Sequence, residues 1–485
     1  MAGRKRTEGK FYLTTPIYYV NDLPHIGHSY TTIVADIIAR WQRQAGKDVY
    51  YLTGLDENSV NTVKGAAKYG YTDIQAYTDM MAAKWMAAWQ ALGIQYDGFI
   101  RTTETRHMEV VEKFFAAVYK NGDIYKGKYE GLYCENCEAF LVPADLADGK
   151  CALHKKEPKM LAEENYFFRL SKYQQQLLRH LEEHPDFVMP KERRNEVLSF
   201  VRSGLKDISI SRPNIDWGIR LPADKSHVIW VWFDALINYI SGAPDYWPAD
   251  LHLMGKDIIR FHCVIWPCML MAAGYELPKR VFAHGFFTID GQKMSKTLGN
   301  VIDPVELAKK YPIDAIRYYL VREIPFGEDG DFSETMLKQR INGELVSDLG
   351  NLVYRVLTLA EKFDGSVEGK AELDAHLDIR KIDGHIERLE MNRALDAIWS
   401  FIRVTNRYIN DKKPWKLSGP ELSHVLYNLL ESLRVCSILL YPFLPTTAES
   451  ISAQLDLELG TFKDLKFGAF KGRIRKGRHL FEPMK

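Results

Sequence analysis

The chain has 485 residues, 46% of them hydrophobic, and its 64 Lys and Arg nearly cancel 63 Asp and Glu to leave a net charge of +1. That length accommodates more than one domain, and that composition excludes both a low-complexity disordered chain and a histone-like polycation. No run of ~18 apolar residues is present to span a bilayer, and six cysteines are too few for a disulfide framework in a chain this size.

The N-terminus, MAGRKRTEGK, is basic but lacks the apolar core of a secretory signal. We read residues 1–10 as a flexible tail and expect a cytoplasmic protein. FYLTTPIYYV, from Phe11, is strand-like, and TTIVADIIARWQRQAG reads as a helix ending at Gly46. DVYYLTG is strand-like again, and residues 60–92 carry helical periodicity. Such alternation predicts a parallel sheet with helices on its faces. It breaks off over 116–225, where cysteines cluster and runs shorten, and resumes from about 226 with HVIWVWFDALINYI and LHLMGKDIIRFHCVIWPCMLMAAG. From about 335 to 455 the pattern is wholly helical.

Directly after the first strand stands HIGH, with His25 and His28 on either side of Gly27. A solvated turn would account for it. So would an anion site, because ligands bind outside the carboxyl ends of such strands and a helix N-terminus favours phosphate. Histidines three apart share a helical face and can donate to phosphate oxygens. Late in the second half comes GQKMSKTLGN, where Lys293 and Lys296 flank a small Met-Ser pair between Gly291 and Gly299. Alone it reads as a solvated turn; paired with HIGH, it supplies the mobile positive charge that nucleotidyl transfer needs.

A third constellation is metal-like. Cys134 and Cys137 form CxxC, and Cys151 and His154 form CxxH thirteen residues later. Paired knuckles of this kind predict one tetrahedral structural zinc rather than a disulfide, since four protein ligands leave no open position. Cys263, Cys268 and Cys436 lie in apolar helical runs and read as buried thiols.

In this order the segments TTPIYYVNDLPHIGH, IRTTETRH, ISISRP, VWFDALINY, GKDIIRFHCVIWP and GQKMSKTLGNVIDP resemble a class I aminoacyl-tRNA synthetase. The closer resemblance, from Lys10 onward, is to the bacterial methionyl-tRNA synthetase family with a single zinc knuckle. It implies a Rossmann-type parallel sheet split by a zinc-bearing connective insertion and followed by an α-helical anticodon-binding bundle. The implied segments are 11–115 and 226–325 for the catalytic halves, 116–225 for the insertion, 326–350 for a stem-contact linker and 351–485 for the anticodon domain.

The resemblance also implies site residues. ATP would be bound by His25, Gly27, His28, Gly255, Asp257, Lys293, Ser295 and Lys296, with magnesium accompanying it. Methionine would be held by Ile17 and Tyr19 after the first strand, Asp56 for the ammonium, Trp232, Tyr239, Ile258 and His262. From residue type alone the aromatic members read equally as core; Trp232 and Tyr239, seven apart, would share one helical face. Asn351, Arg355 and Trp415 match positions that read the anticodon of tRNA(Met), although an exposed polar face and a packed tryptophan would also explain them. The pattern departs at Asn58-Ser59, where the family commonly has His-Gly.

Isoleucyl, valyl and leucyl enzymes share both motifs but carry large editing insertions, and 110 residues are too few for one. The zinc of a cysteinyl enzyme binds substrate and would need ligands in the active site. Small nucleotidyltransferases share the HxGH element but would leave the helical C-terminal region unexplained. A silent tRNA-binding paralogue would have no need to keep HIGH and KMSKT together. The expected activity is methionine–tRNA ligation, and in the absence of an appended oligonucleotide-binding barrel the expected state is a monomer.

Overall fold

A computed structural model of the protein describes residues 9–135, 139–141, 145–152, 155–213, 215–289, 292–293, 301–363 and 366–485. Its contacts divide it into two units: Met1–Pro24, Val49–Gln90 and Gln95–His284 form one, and His25–Asp48, Ala91–Ile94 and Gly285–Lys485 the other.

The first unit is built on β1 (Lys10–Tyr19), β2 (Asp48–Asp56) and β3 (Gly98–Arg101), joined by the strands Leu251–Gly255, Val281–His284 and Val188–Met189. The sheet order is β3, β2, β1, Leu251–Gly255, Val281–His284, Val188–Met189. Leu13 of β1 pairs with Leu251 in parallel, and Leu52 of β2 with Gly98. β1 is buried from Tyr12 to Pro16, as a central parallel strand covered on both faces must be. A Cβ on Gly54 would sit 2.0 Å from the Ile100 carbonyl oxygen, so only glycine lets β2 lie against β3 there. Strand order reverses between β1 and Leu251–Gly255, and that switch point is where such sheets place ligands.

Between the halves, Ile124–Cys134 and Lys159–Phe168 form a long antiparallel ribbon, from Ile124↔Phe168 to Tyr133↔Lys159. The strands Leu146–Ala147 and Lys150–Cys151 form a hairpin whose two turn residues, Asp148 (φ 52°) and Gly149 (φ 75°), are both left-handed, as a two-residue turn requires.

The second unit holds α1 (Ile26–Gln44), closed by Gly46 at φ 84°. Its helical part includes Ile313–Arg322, Asn351–Glu361, Met391–Lys412, Gly419–Leu440 and Pro445–Gln454. Asp36 of α1 is fully buried with Arg317, 2.6 Å away, and also bonds Arg40 at 2.7 Å. No helix of the described residues is long and apolar enough to cross a membrane.

Candidate functional site

Four polypeptide segments converge at the carboxyl ends of β1 and β2. Ile17 and Tyr19 belong to the last three residues of β1, not to the loop beyond it. Pro16 has no N–H to give, but it lies beyond the register pair Thr14↔His252, and the strand runs on through it. Asp56 ends β2, as expected. Trp232 and Tyr239 fall on two short helices, Val231–Leu236 and Asn238–Ser241, rather than on one. The break coincides with the Asn238 side chain, whose amide donates to the Ala235 carbonyl at 2.6 Å and competes with the backbone ladder. The region around His262 also differs from the plain helix expected. Phe261–Ile265 is a π-turn ahead of the helix Trp266–Ala273, because Pro267 cannot donate to the preceding turn.

Ile17, Tyr19, Asp56, Trp232, Tyr239 and His262 line one cavity of about 20 Å³. Ile258 does not line it but contributes its carbonyl, which accepts from His262 Nδ1 at 3.0 Å. The sequence reading missed Pro16, Ala235, Leu236 and Asn238, which complete the wall; apolar neighbours of a motif carry no signal that separates pocket from core. The rings are ordered: Trp232 stacks on Phe261 at 3.7 Å, and Tyr19 meets Trp232 edge-on at 6.3 Å. Burial pushes the His262 pKa down to about 4 and raises that of Tyr239. The wall is therefore apolar and uncharged, with Asp56, 3% exposed, as its carboxylate. That chemistry suits a ligand with an apolar side chain and a cationic end.

The departure at Asn58-Ser59 keeps the local structure satisfied. Ser59 caps the helix α2 (Val60–Lys68) by accepting from the Thr62 N–H, and the Asn58 amide donates to Asp234 and to the Thr102 carbonyl.

In the second unit, His25 and His28 form a reciprocal cap on α1. His25 Nδ1 accepts from the Gly27 N–H at 3.1 Å, and His28 Nδ1 accepts from the His25 N–H at 3.2 Å. The rings stack at 3.7 Å. Burial lowers the His25 pKa to about 4 and that of His28 well below its ordinary value. With Nδ1 accepting on a neutral ring, the proton of each imidazole must sit on Nε2. The helix N-terminus differs from the expectation of free backbone donors. The Ile26 N–H goes to Ile302 O, and those of His28 and Ser29 to His25 O. The imidazole Nε2–H groups are thus the donors suited to an anion.

Gly255 ends the strand Leu251–Gly255, and Asp257 is exposed on the following single turn, Lys256–Ile258. Lys293 lies on the strand Gln292–Lys293, paired with Thr288. Ser295 and Lys296 lie outside the described residues, as do Cys137 and His154. Cys134 and Cys151, the other two predicted metal ligands, are 3% and 2% exposed and share one small cluster with Leu141. Asn351 opens the helix Asn351–Glu361, and Arg355 on the same helix donates to Asn410 Oδ1 at 2.8 Å. Trp415 is 56% exposed on a single turn, Pro414–Lys416.

A parallel sheet with its pocket at the switch point, a histidine cap opening α1 and a helical C-terminal region are the architecture of the class I aminoacyl-tRNA synthetases. The family described as tRNA synthetases class I (M) matches residues 11–144 and 134–357, and the anticodon-binding domain of tRNA ligases matches 374–466. The chain is 46% identical to the methionine–tRNA ligase of Caldanaerobacter subterraneus subsp. tengcongensis over 97% of its own length and 78% of that protein's. It is 48% identical to that of Thermotoga maritima, over 93% and 76%. The structure of Mycobacterium tuberculosis methionyl-tRNA synthetase with methionyl-adenylate superimposes with a TM-score of 0.92 and 39% identity, over 97% of this chain and 99% of that one. The chain belongs to the methionyl-tRNA synthetase family.

Proposed function

We propose that the protein activates L-methionine with ATP to methionyl-adenylate and pyrophosphate, then transfers methionine to the 3′-terminal ribose of tRNA(Met). One observation carries the reading: an apolar, uncharged wall of Trp232, Tyr239, Tyr19 and His262 faces one cavity with the single carboxylate Asp56. Methionine offers the matching pair, a thioether side chain and an ammonium.

In the first step a methionine carboxylate oxygen attacks the α-phosphorus of ATP in line, and pyrophosphate departs. The chain needs no nucleophile of its own; positioning and charge stabilisation suffice. His25 and His28 donate Nε2–H to the nucleotide, with Gly27 admitting it close to the backbone. Gly255 and Asp257 take its ribose, and Lys293, Ser295 and Lys296 follow the charge onto pyrophosphate. Magnesium arriving with ATP would neutralise phosphate charge. In the second step a ribose hydroxyl of the tRNA attacks the adenylate carbonyl and AMP leaves. Asn351, Arg355 and Trp415 read the anticodon, whose unpaired bases suit stacking and edge hydrogen bonds.

Segments 11–115 and 226–325 then serve as the catalytic halves, 326–350 as the stem contact and 351–485 as the anticodon domain, in a cytoplasmic monomer. A structural zinc belongs to the insertion at 116–225, on Cys134, Cys137, Cys151 and His154. Burial of Cys134 and Cys151 in one cluster, beside the hairpin ending in Cys151, fits two thiolate ligands of that site.

The test is ATP–pyrophosphate exchange with each amino acid in turn, without tRNA, and with Lys293→Ala as control. Exchange with methionine alone, lost in the control, is the expected result; exchange driven by another amino acid overturns the pocket assignment.

A further inference from the structure

Beneath the cavity lies a buried polar network that the steps above do not use. Asp234 is 1% exposed, and no lysine or arginine among the described residues pairs with it. Its two oxygens have one donor each. Asn58 Nδ2 reaches Oδ2 at 2.8 Å, and His107 Nε2 reaches Oδ1 at 2.6 Å. The other amide proton of Asn58 goes to the Thr102 carbonyl at 3.1 Å. The other nitrogen of His107 meets Ser241 Oγ at 2.7 Å. The Ser241 hydroxyl also reaches the Asn238 carbonyl, at 3.4 Å.

The chain positions of these groups give the network its meaning. Asn58 follows Asp56 by two residues, Asp234 follows Trp232 by two, and Ser241 follows Tyr239 by two. His107, fully buried on the helix Thr105–Lys120, holds two of them at once. Three of the segments that supply wall residues, those of Asp56, Trp232 and Tyr239, are therefore joined through one buried network centred on Asp234. A carboxylate this deeply buried is held only while its donors stay in place, because each lost bond leaves charge uncompensated in a low-dielectric interior.

We propose that Asn58, His107 and Asp234 are positioning residues for methionine: they set the Asp56 carboxylate against the aromatic wall of Trp232 and Tyr239. The proposal rests on the reading of the cavity as a methionine site. None of the three touches the cavity, so the amino acid is affected through Asp56, Trp232 and Tyr239 alone.

The experiment is steady-state pyrophosphate exchange by the full chain and two variants at Asn58, with melting temperatures measured alongside. Asn58→Asp keeps the shape but replaces a donor with a second carboxylate facing Asp234. It should raise the methionine KM about tenfold or more and leave the ATP KM within about twofold, since it removes binding contributed by one substrate's wall. Asn58→His restores one N–H donor to Asp234 and should bring the methionine KM back to within about threefold of the parent. Should Asn58→Asp fail to fold, Ser241→Ala, which removes the hydroxyl partner of His107 Nδ1, should raise the methionine KM selectively in the same way. A lowered melting temperature with both KM values unchanged overturns the proposal, as does an equal rise in both. Absence of methionine-dependent exchange in the parent chain overturns the cavity reading itself, and is seen before any variant is compared.

Discussion

The Tyr239 hydroxyl donates to His262 Nε2 at 2.7 Å, and the direction of that bond follows from the other ring nitrogen, which donates to the Ile258 carbonyl at 3.0 Å. Burial holds the ring neutral, its pKa down to about 4. Tyr239→Phe would leave Nε2 buried without its donor and free the ring to turn. A lost neutral hydrogen bond of about 1 to 1.5 kcal/mol corresponds to roughly a tenfold rise in methionine KM. Pyrophosphate exchange should show that rise with the ATP KM unchanged; a methionine KM that stays put would remove this bond from substrate recognition.

The cavity's own size makes a second prediction. About 20 Å³ is room for a single water, so on the proposed reading methionine would displace wall side chains as it binds. Trp232, flat on Phe261 at 3.7 Å, is the indole placed to report it. Intrinsic fluorescence should change saturably with methionine and lose that response in Trp232→Phe. An unchanged response in the variant would assign the signal elsewhere.

How much of this was legible beforehand differs by feature. HIGH after the first strand, Asp56 ending the second and the long helical C-terminal region follow from local pattern, because strand and helix periods survive in the sequence. The breaks did not. Pro267 forces a π-turn at Phe261–Ile265, and Asn238 splits what reads as one helix, since each acts through a single hydrogen bond that hydrophobic periodicity does not register. Nor could spacing show that the first-turn N–H groups of α1 are already satisfied, by His25 and by the Ile302 carbonyl. Asn58 stood out as a departure from pattern, but its partner Asp234 lies 176 residues away and only the fold joins them.

Histidines held neutral by burial set the acid limb of stability. His25 has a folded pKa of about 4 against an ordinary 6.5, so as pH falls the unfolded chain binds the proton first. Its contribution is fully present above about 6.5 and is lost progressively down to about 4, with a slope approaching 1.4 kcal/mol per pH unit. His262 adds the same sign over the same window. Denaturant midpoints should therefore fall between pH 7 and pH 5, and His25→Asn, which can still cap Gly27, should flatten part of that fall. The same neutrality predicts an ATP KM that is flat from pH 8 to below 6.

Asp36, Arg40 and Arg317 form a buried cluster in the second unit, with Arg317 also donating to the carbonyls of Pro442 and Phe443. Removing one partner leaves a buried charge without compensation, which costs about 3–5 kcal/mol. Asp36→Ala, which takes the shared carboxylate from both guanidinium groups, should lower the unfolding free energy by that amount, and Arg317→Ala by less, because Arg40 still pairs with Asp36. The double variant Asp36→Ala with Arg317→Ala should be much less than additive; simple additivity would show that the two charges act independently.

Zinc content is a direct measurement. One ion per chain is expected by elemental analysis, lost in Cys151→Ser, whose thiol lies in the small cluster with Cys134. Because that knuckle has its own strands, a chelated or Cys151→Ser chain should keep most of its far-ultraviolet circular dichroism. Full zinc occupancy in Cys151→Ser would remove this cysteine from the ligand set.

Anticodon reading is separable from activation. Among the described residues Arg355 donates to Asn410 and pairs with no acid, which leaves its charge available to RNA, and Trp415 presents an indole 56% exposed on the single turn Pro414–Lys416. Stacking on an aromatic is worth about 1–3 kcal/mol per base, so Trp415→Ala should lower kcat/KM for tRNA(Met) by roughly ten- to a hundredfold. Arg355→Ala should cost a similar factor through lost edge contacts, and should reduce discrimination against a transcript with an altered anticodon. Neither change touches the cavity around Asp56, so methionine-dependent pyrophosphate exchange should stay at the parent rate in both. A parallel loss of exchange would mean that these residues support the fold rather than read RNA, and unchanged charging of tRNA would remove them from recognition altogether.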